Sequence, residues 1–174
     1  IEDYPVTLFL SQHGYFKKIT PQSLRMSGEQ KFKEDDALSM SVESSNAAEL
    51  MFFTDKAQVY KTRASDFADG KASQLGDYLP AKLGMDEGES VMGMVLPGDY
   101  SGYMIFFFEN GKAAKVELSA YKTTSNRRRL TGAYSDKSPL KALLYLKEDR
   151  EIAVYSTEPR VLIVNTALLG VKTT

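Results

Sequence analysis

The chain contains no cysteine, no tryptophan and a single histidine. Without cysteine there is no disulfide framework, thiolate metal site or cysteine nucleophile. With His13 alone, a Ser-His-Asp arrangement would have to use a residue that falls in a predicted hairpin turn, and a zinc-type site would be left with carboxylates only. The twelve glycines never fall as G-x-G, so dinucleotide and Walker-type phosphate loops are absent. Long apolar runs are missing too. Tyr103 to Phe108 and Ala142 to Leu146 fall far short of the roughly 18 to 20 residues that cross a bilayer, and no charged-then-apolar signal opens the chain. What remains is a 174-residue chain with 43% hydrophobic and 26% charged residues, the profile of one ordinary soluble domain, expected in the cytoplasm.

The chain repeats itself. Thr7 to Leu24, Leu50 to Phe67, Met104 to Tyr121 and Ile152 to Leu169 stack without gaps over eighteen residues. Each is an apolar strand, a polar turn, a second strand and a polar stretch closed by a large apolar residue: Leu24, Phe67, Tyr121 or Leu169. Taking the turn positions Gly14, Ala57, Gly111 and Pro159 as origins, the intervals are 43, 54 and 48 residues, the size of a propeller-like blade. A further strand lies upstream at Ala37 to Val42, Ser90 to Leu96 and Pro139 to Leu146. The hairpin turns Gln12-His13-Gly14 and Glu109-Asn110-Gly111 end in a glycine suited to positive φ. No helix is expected: Ser73 to Lys82 could make a turn or two, but Pro80 should stop it. Arg25 to Asp35, Ala68 to Gly88 and Lys122 to Lys137 read as variable surface loops, where binding usually sits.

The net charge of −1 hides an uneven distribution. Residues 1–49 and 50–102 each carry 5 basic and 8 acidic groups, residues 103–147 carry 9 and 3, and residues 148–174 carry 3 and 4. The third segment is thus a basic island, with Arg127, Arg128 and Arg129 in succession and Lys115, Lys122, Lys137 and Lys141 around them. Guanidinium forks suit phosphate oxygens, which points to a polyanion. Lys17 and Lys18, and Lys61 with Arg63, fall at the same repeat position as Lys115, which predicts basic groups on one rim of successive blades. Glu34-Asp35-Asp36 and Asp86-Glu87-Gly88-Glu89 could hold a divalent cation, although neither spacing fits a calcium loop. These two clusters also keep open a protein-interaction domain with an acidic face. A carbohydrate-binding β domain using exposed Tyr100, Tyr103 and Tyr134 is a third reading.

Ile1-Glu2-Asp3 leading into Val6-Thr7-Leu8, followed by His13-Gly14-Tyr15-Phe16-Lys17-Lys18-Ile19, resembles the opening of the C-terminal domain of the A subunit of bacterial type IIA topoisomerases, DNA gyrase and topoisomerase IV. Phe53-Thr54-Asp55-Lys56-Ala57-Gln58-Val59-Tyr60 is similar to the second-blade hairpin of that family. The resemblance implies an all-β β-pinwheel, a propeller-like disc of three- to four-stranded blades that exchange strands, binding and bending duplex DNA around its basic edge; Arg and Lys at loop and rim positions, with no helix suited to the major groove, predict binding without base readout. As one domain over 1–174, the blades would fall at about 1–49, 50–102 and 103–150, with part of a fourth at 151–174. The resemblance also implies that the catalytic tyrosine, the sites for ATP and magnesium, and the contact to the topoisomerase B subunit lie in other parts of a parent enzyme, so this domain itself holds no cofactor. In gyrase a glutamine-arginine-arginine-glycine-glycine box follows the first hairpin. Here the segment reads Leu24-Arg25-Met26-Ser27-Gly28-Glu29-Gln30-Lys31, in which only Arg25, Gly28 and Lys31 keep its character. With Gln74-Leu75-Gly76-Asp77-Tyr78-Leu79 resembling a stretch of Gram-positive topoisomerase IV, a topoisomerase IV-type domain or a gyrase-like paralogue is favoured over a wrapping gyrase.

Overall fold

The computed structural model describes residues 1–125, 127–148, 151–155, 161–165 and 170–172. Asn126, Arg150 and the fourth-repeat positions Pro159 and Leu169 lie outside the described residues. In chain order the strands are β1 (Pro5–Ser11), β2 (Tyr15–Ile19), β3 (Leu38–Ser45), β4 (Glu49–Thr54), β5 (Val59–Arg63), β6 (Asp77–Tyr78), β7 (Val91–Val95), β8 (Tyr103–Phe108), β9 (Ala113–Glu117), β10 (Arg129–Leu130), β11 (Leu140–Leu146), β12 (Glu151–Tyr155), β13 (Val161–Asn165) and β14 (Val171–Lys172). They make sheets ordered β3-β1-β2-β6, β10-β5-β4-β7 and β11-β8-β9-β14, and a hairpin β12-β13.

Three strands of each larger sheet are near neighbours in sequence, and the fourth comes from much further along the chain. β6 pairs with β2, β10 with β5, and β14 with β9, the last in parallel. The stretch after the large apolar residue of one repeat therefore completes the sheet of the repeat before it. The sequence pattern predicts surface loops for these stretches, because strands of two residues are too short to carry an alternation.

The hairpins match the repeat register. Gly14, Ala57 and Gly111 all have positive φ, at 90°, 54° and 83°. A short helical turn follows the second strand each time: α1 (Pro21–Met26) after β2, and 3-10 turns at Ala64–Asp66 and Leu118–Tyr121 after β5 and β9. These, with α2 (Leu79–Lys82), correct the expectation of no helix. Thr20 caps α1 by accepting from the Ser23 amide at 3.3 Å. Pro80 sits in the first turn of α2 rather than ending it, because a helix leaves its first N–H groups unbonded and proline has none to lose.

The chain forms two compact units, residues 1–98 with 127–131, and residues 99–126 with 132–174. In the first, alternate residues Val6, Leu8 and Leu10 of β1 meet Phe16, Leu50, Phe52 and Phe67 in one core. The Phe16 ring lies 4.4 Å from Phe67 and 5.7 Å edge-on from Phe52. β4 is buried on both faces, Met51, Phe52 and Phe53 alike, which is why it reads as an unbroken apolar run rather than an alternation. In the second unit Met104, Ile105 and Phe106 do the same, and Tyr134 stacks on Phe106 at 4.7 Å. The repeat residues Phe67 and Tyr121 are buried, the Tyr121 hydroxyl donating to the Ala133 carbonyl at 2.7 Å; Leu24 is half-buried.

Gly76 shows how closely an exchanged segment approaches its host sheet. Its φ is +94°, and a Cβ there would collide with the Phe16 carbonyl oxygen and lie 2.6 Å from the Lys17 Cγ. Gly76→Ala is therefore expected to lower stability by about 2 to 4 kcal/mol, summing left-handed strain and the clash. Urea unfolding checks this, and a loss under about 0.5 kcal/mol would mean that β6 has room to withdraw.

Candidate nucleic-acid interface

The basic triplet divides once it is folded. β10 runs antiparallel to β5 with Arg129 opposite Tyr60, and the Lys61 amide donates to the Arg128 carbonyl at 2.7 Å. The Arg129 guanidinium lies 4.8 Å over the Tyr60 ring, donates to the Gly84 carbonyl at 2.6 Å and pairs with Asp86 at 3.3 Å. Arg127 and Arg128 are exposed. In the linear sequence all three look like equivalent loop cations. Instead Arg129 fastens the exchanged strand, and Arg127 and Arg128 stand exposed just ahead of it, with the Arg128 backbone bonded to Lys61 of β5. Arg63 is exposed and donates to the Ala47 carbonyl at 3.0 Å, while Lys61 pairs with Glu49 at 3.3 Å.

Beneath this edge lies a buried carboxylate. Glu89 accepts from the Tyr60 hydroxyl at 2.7 Å, the Gln58 amide at 3.0 Å, the Asp86 backbone N–H at 2.9 Å and the Thr54 hydroxyl. Gln58 also donates to Asp86 at 2.9 Å. Burial and the bond to Glu89 push the Tyr60 hydroxyl pKa up. The Gln58 hydrogen bond, helped by Arg129, holds the Asp86 carboxyl below its usual range. Glu89 thereby drops out of the acidic-face reading of Asp86 to Glu89, because it is only 4% exposed and its oxygens already hold donors, while Asp86 and Glu87 are exposed.

The rim of lysines expected from the repeat is corrected as well. Lys17, Lys18 and Lys115 are buried. The Lys17 ammonium donates to the carbonyls of Lys31, Ala72 and Gln74 at 3.2, 3.2 and 3.1 Å, and its burial lowers its pKa. Lys18 donates to Asn46 at 2.6 Å and pairs with Asp69 at 3.3 Å, and Lys115 lies 4.2 Å over the Tyr103 ring. In the first sheet these long stems fasten the exchanged segment, a use of lysine that a repeat position cannot distinguish from a rim cation. Arg25, Lys31, Lys122, Lys137 and Lys141 are exposed as expected.

Folding also redistributes the charge. The first unit carries 13 basic and 15 acidic groups and the second 9 and 8, because the three arginines belong to the first. The basic island of the sequence is thus a feature of the linear chain, and the local edge at β5 and β10 takes its place. Tyr100 and Tyr134 are buried and Tyr103 stacks under Lys115, which removes the exposed platform of the carbohydrate reading. His13 is an exposed turn residue whose amide donates to Asp36 at 3.0 Å. No group of three or more His, Asp or Glu among the described residues is placed to hold a metal ion.

Sheets each completed by a strand from the following repeat define a β-pinwheel. No family model matches the chain. It is 29% identical over 167 residues to the A subunit of DNA topoisomerase 4 of Staphylococcus epidermidis, covering 92% of this chain and 21% of that one. It is 29% identical over 124 residues to the A subunit of DNA gyrase of Mycoplasma pneumoniae, covering 67% and 15%. Among solved structures it is similar to the C-terminal domain of DNA topoisomerase IV, with a TM-score of 0.85 at 20% identity over 99% of this chain and 55% of that one. It is also similar to the E. coli ParC C-terminal domain, with a TM-score of 0.67 at 16% identity over 94% and 65%. The homologues are thus the A subunits of topoisomerase IV and gyrase, as the sequence resemblance indicated, and this chain spans about a fifth of the topoisomerase 4 protein that it matches.

Proposed function

We propose that this chain is the non-catalytic, C-terminal DNA-binding domain of the A subunit of a type IIA topoisomerase. It binds duplex DNA through phosphates and bends it, positioning a segment for ATP-dependent strand passage by the rest of the enzyme. The B subunit, ATP and magnesium engage the parent enzyme elsewhere, and the setting is the bacterial cytoplasm. The observation that carries the reading is the pair of exposed side chains of Arg127 and Arg128, which lead into a strand paired with β5 and fastened at Arg129. Arginine forks match phosphate oxygens, and contacts of that kind fix position without reading sequence. α1, at six residues, and α2, at four, are too short to serve as a recognition helix in the major groove.

Sequence-independent binding is tested by titrating several unrelated duplexes of equal length. Affinities should agree within about tenfold and fall in the range of non-specific binding at physiological salt. A preference of more than about a hundredfold for one sequence would contradict the phosphate-only reading.

A further inference from the structure

Tyr78 is exposed, at 46%. It stands on the exchanged strand β6 directly opposite Tyr15 of β2, and the two rings lie 5.0 Å apart at 37°. The pair is held from several directions. The Leu79 amide donates to the Gly14 carbonyl at 2.9 Å, the Tyr15 amide to the Ser11 hydroxyl at 3.0 Å, and Gly76 brings the segment against Phe16 and Lys17. One exposed cation adjoins it, and a second, Lys31, is exposed nearby in the chain. The Lys33 ammonium is 5.5 Å from the centre of the Tyr15 ring, and the Lys31 amide donates to Ala72, which anchors the backbone of Lys31 to the exchanged segment. Asp77 alternates to the opposite face of β6.

From this geometry we infer that the β2–β6 edge is a stacking site for an unpaired nucleobase in single-stranded DNA. The open side of the Tyr78 ring takes the base, and Lys31 and Lys33 meet the flanking phosphates. An aromatic surface beside exposed ammonium groups matches an unpaired nucleotide, which offers a π-face and a phosphate together. A base inside a duplex is already stacked on both sides and offers neither face. The site deepens the DNA-binding reading, and it is separate from the β5–β10 edge in residues and in the kind of contact. Glu34 and Asp35, exposed just after Lys33, oppose a polyanion, so Glu34→Gln with Asp35→Asn should strengthen single-strand binding.

The test is fluorescence anisotropy of the 174-residue chain with a labelled oligothymidylate, an abasic oligomer of equal length and charge, and a duplex. The chain should prefer the oligothymidylate over the abasic oligomer by about 5- to 10-fold, in keeping with one stacked base. Tyr78→Ala should abolish that preference and leave duplex affinity unchanged, while Tyr78→Phe should keep it. Lys33→Ala should reduce the salt slope for the oligothymidylate by roughly 0.7. Equal binding of the two oligomers by the unaltered chain, or a preference that survives Tyr78→Ala, would overturn the stacking site. Loss of duplex binding with the base preference intact would instead overturn the duplex reading and leave this site standing.

Discussion

Replacing Arg127 and Arg128 together with Ala should make duplex binding less salt-dependent, with the slope of log affinity against log salt reduced by roughly 1.8, at about 0.9 per phosphate contact. Both side chains are exposed, so stability should stay within about half a kcal/mol. Arg129→Ala should behave differently. Its guanidinium is held by Tyr60, Gly84 and Asp86, so its removal should lower stability by about 1 to 2 kcal/mol and weaken binding by loosening the strand that carries the other two. Lys at 129 keeps the charge but not the fork that reaches Gly84 and Asp86 together, so Arg129→Lys should recover little of the lost stability. Salt titration and urea unfolding of the variants separate these effects. An unaltered slope in the folded double variant would return this edge to a solvated surface.

The second large effect concerns a residue the sequence placed on the DNA side. Lys17→Met keeps the aliphatic stem and removes the ammonium that serves the carbonyls of Lys31, Ala72 and Gln74. Those acceptors lose a charged donor in a buried setting, and stability should fall by about 2 to 4 kcal/mol in urea unfolding. The duplex salt slope of the folded fraction should not change. A slope reduced by about one unit with stability intact would mean that Lys17 reaches a phosphate.

The first strands of each repeat were legible because their pattern is local. The Gly14, Ala57 and Gly111 turns share one backbone state, and Phe67 and Tyr121 share one burial, so the same residue types recur at the same offsets. Strand exchange was implied by the family resemblance but left almost no such trace in the local pattern. β6 and β10 are two residues each, and what fixes them is a glycine that permits close approach and side chains that fasten them from distant positions, Lys17 in one sheet and Arg129 in another. The candidate site was hard to read for the same reason. A lysine reaching inward to carbonyls and a lysine reaching outward to phosphate occupy identical positions in a linear repeat, and only the path of the exchanged segment tells them apart. Glu89 was equally opaque, since its side-chain donors come from Thr54, Gln58 and Tyr60, some thirty residues upstream. Tyr78 stands out in the sequence only within a family-like stretch, because its exposure follows from a pairing that has no local signature.

The central claim is that duplex DNA seats on the guanidinium groups presented at β5 and β10, and arginine-selective chemical modification read by mass spectrometry tests it most directly. In the free chain Arg127 and Arg128 should react readily and Arg129 slowly, because its fork is engaged by Gly84 and Asp86. Saturating duplex should protect Arg127 and Arg128 strongly, and Arg63 in part. Equal modification of Arg127 and Arg128 with and without bound duplex would contradict the account.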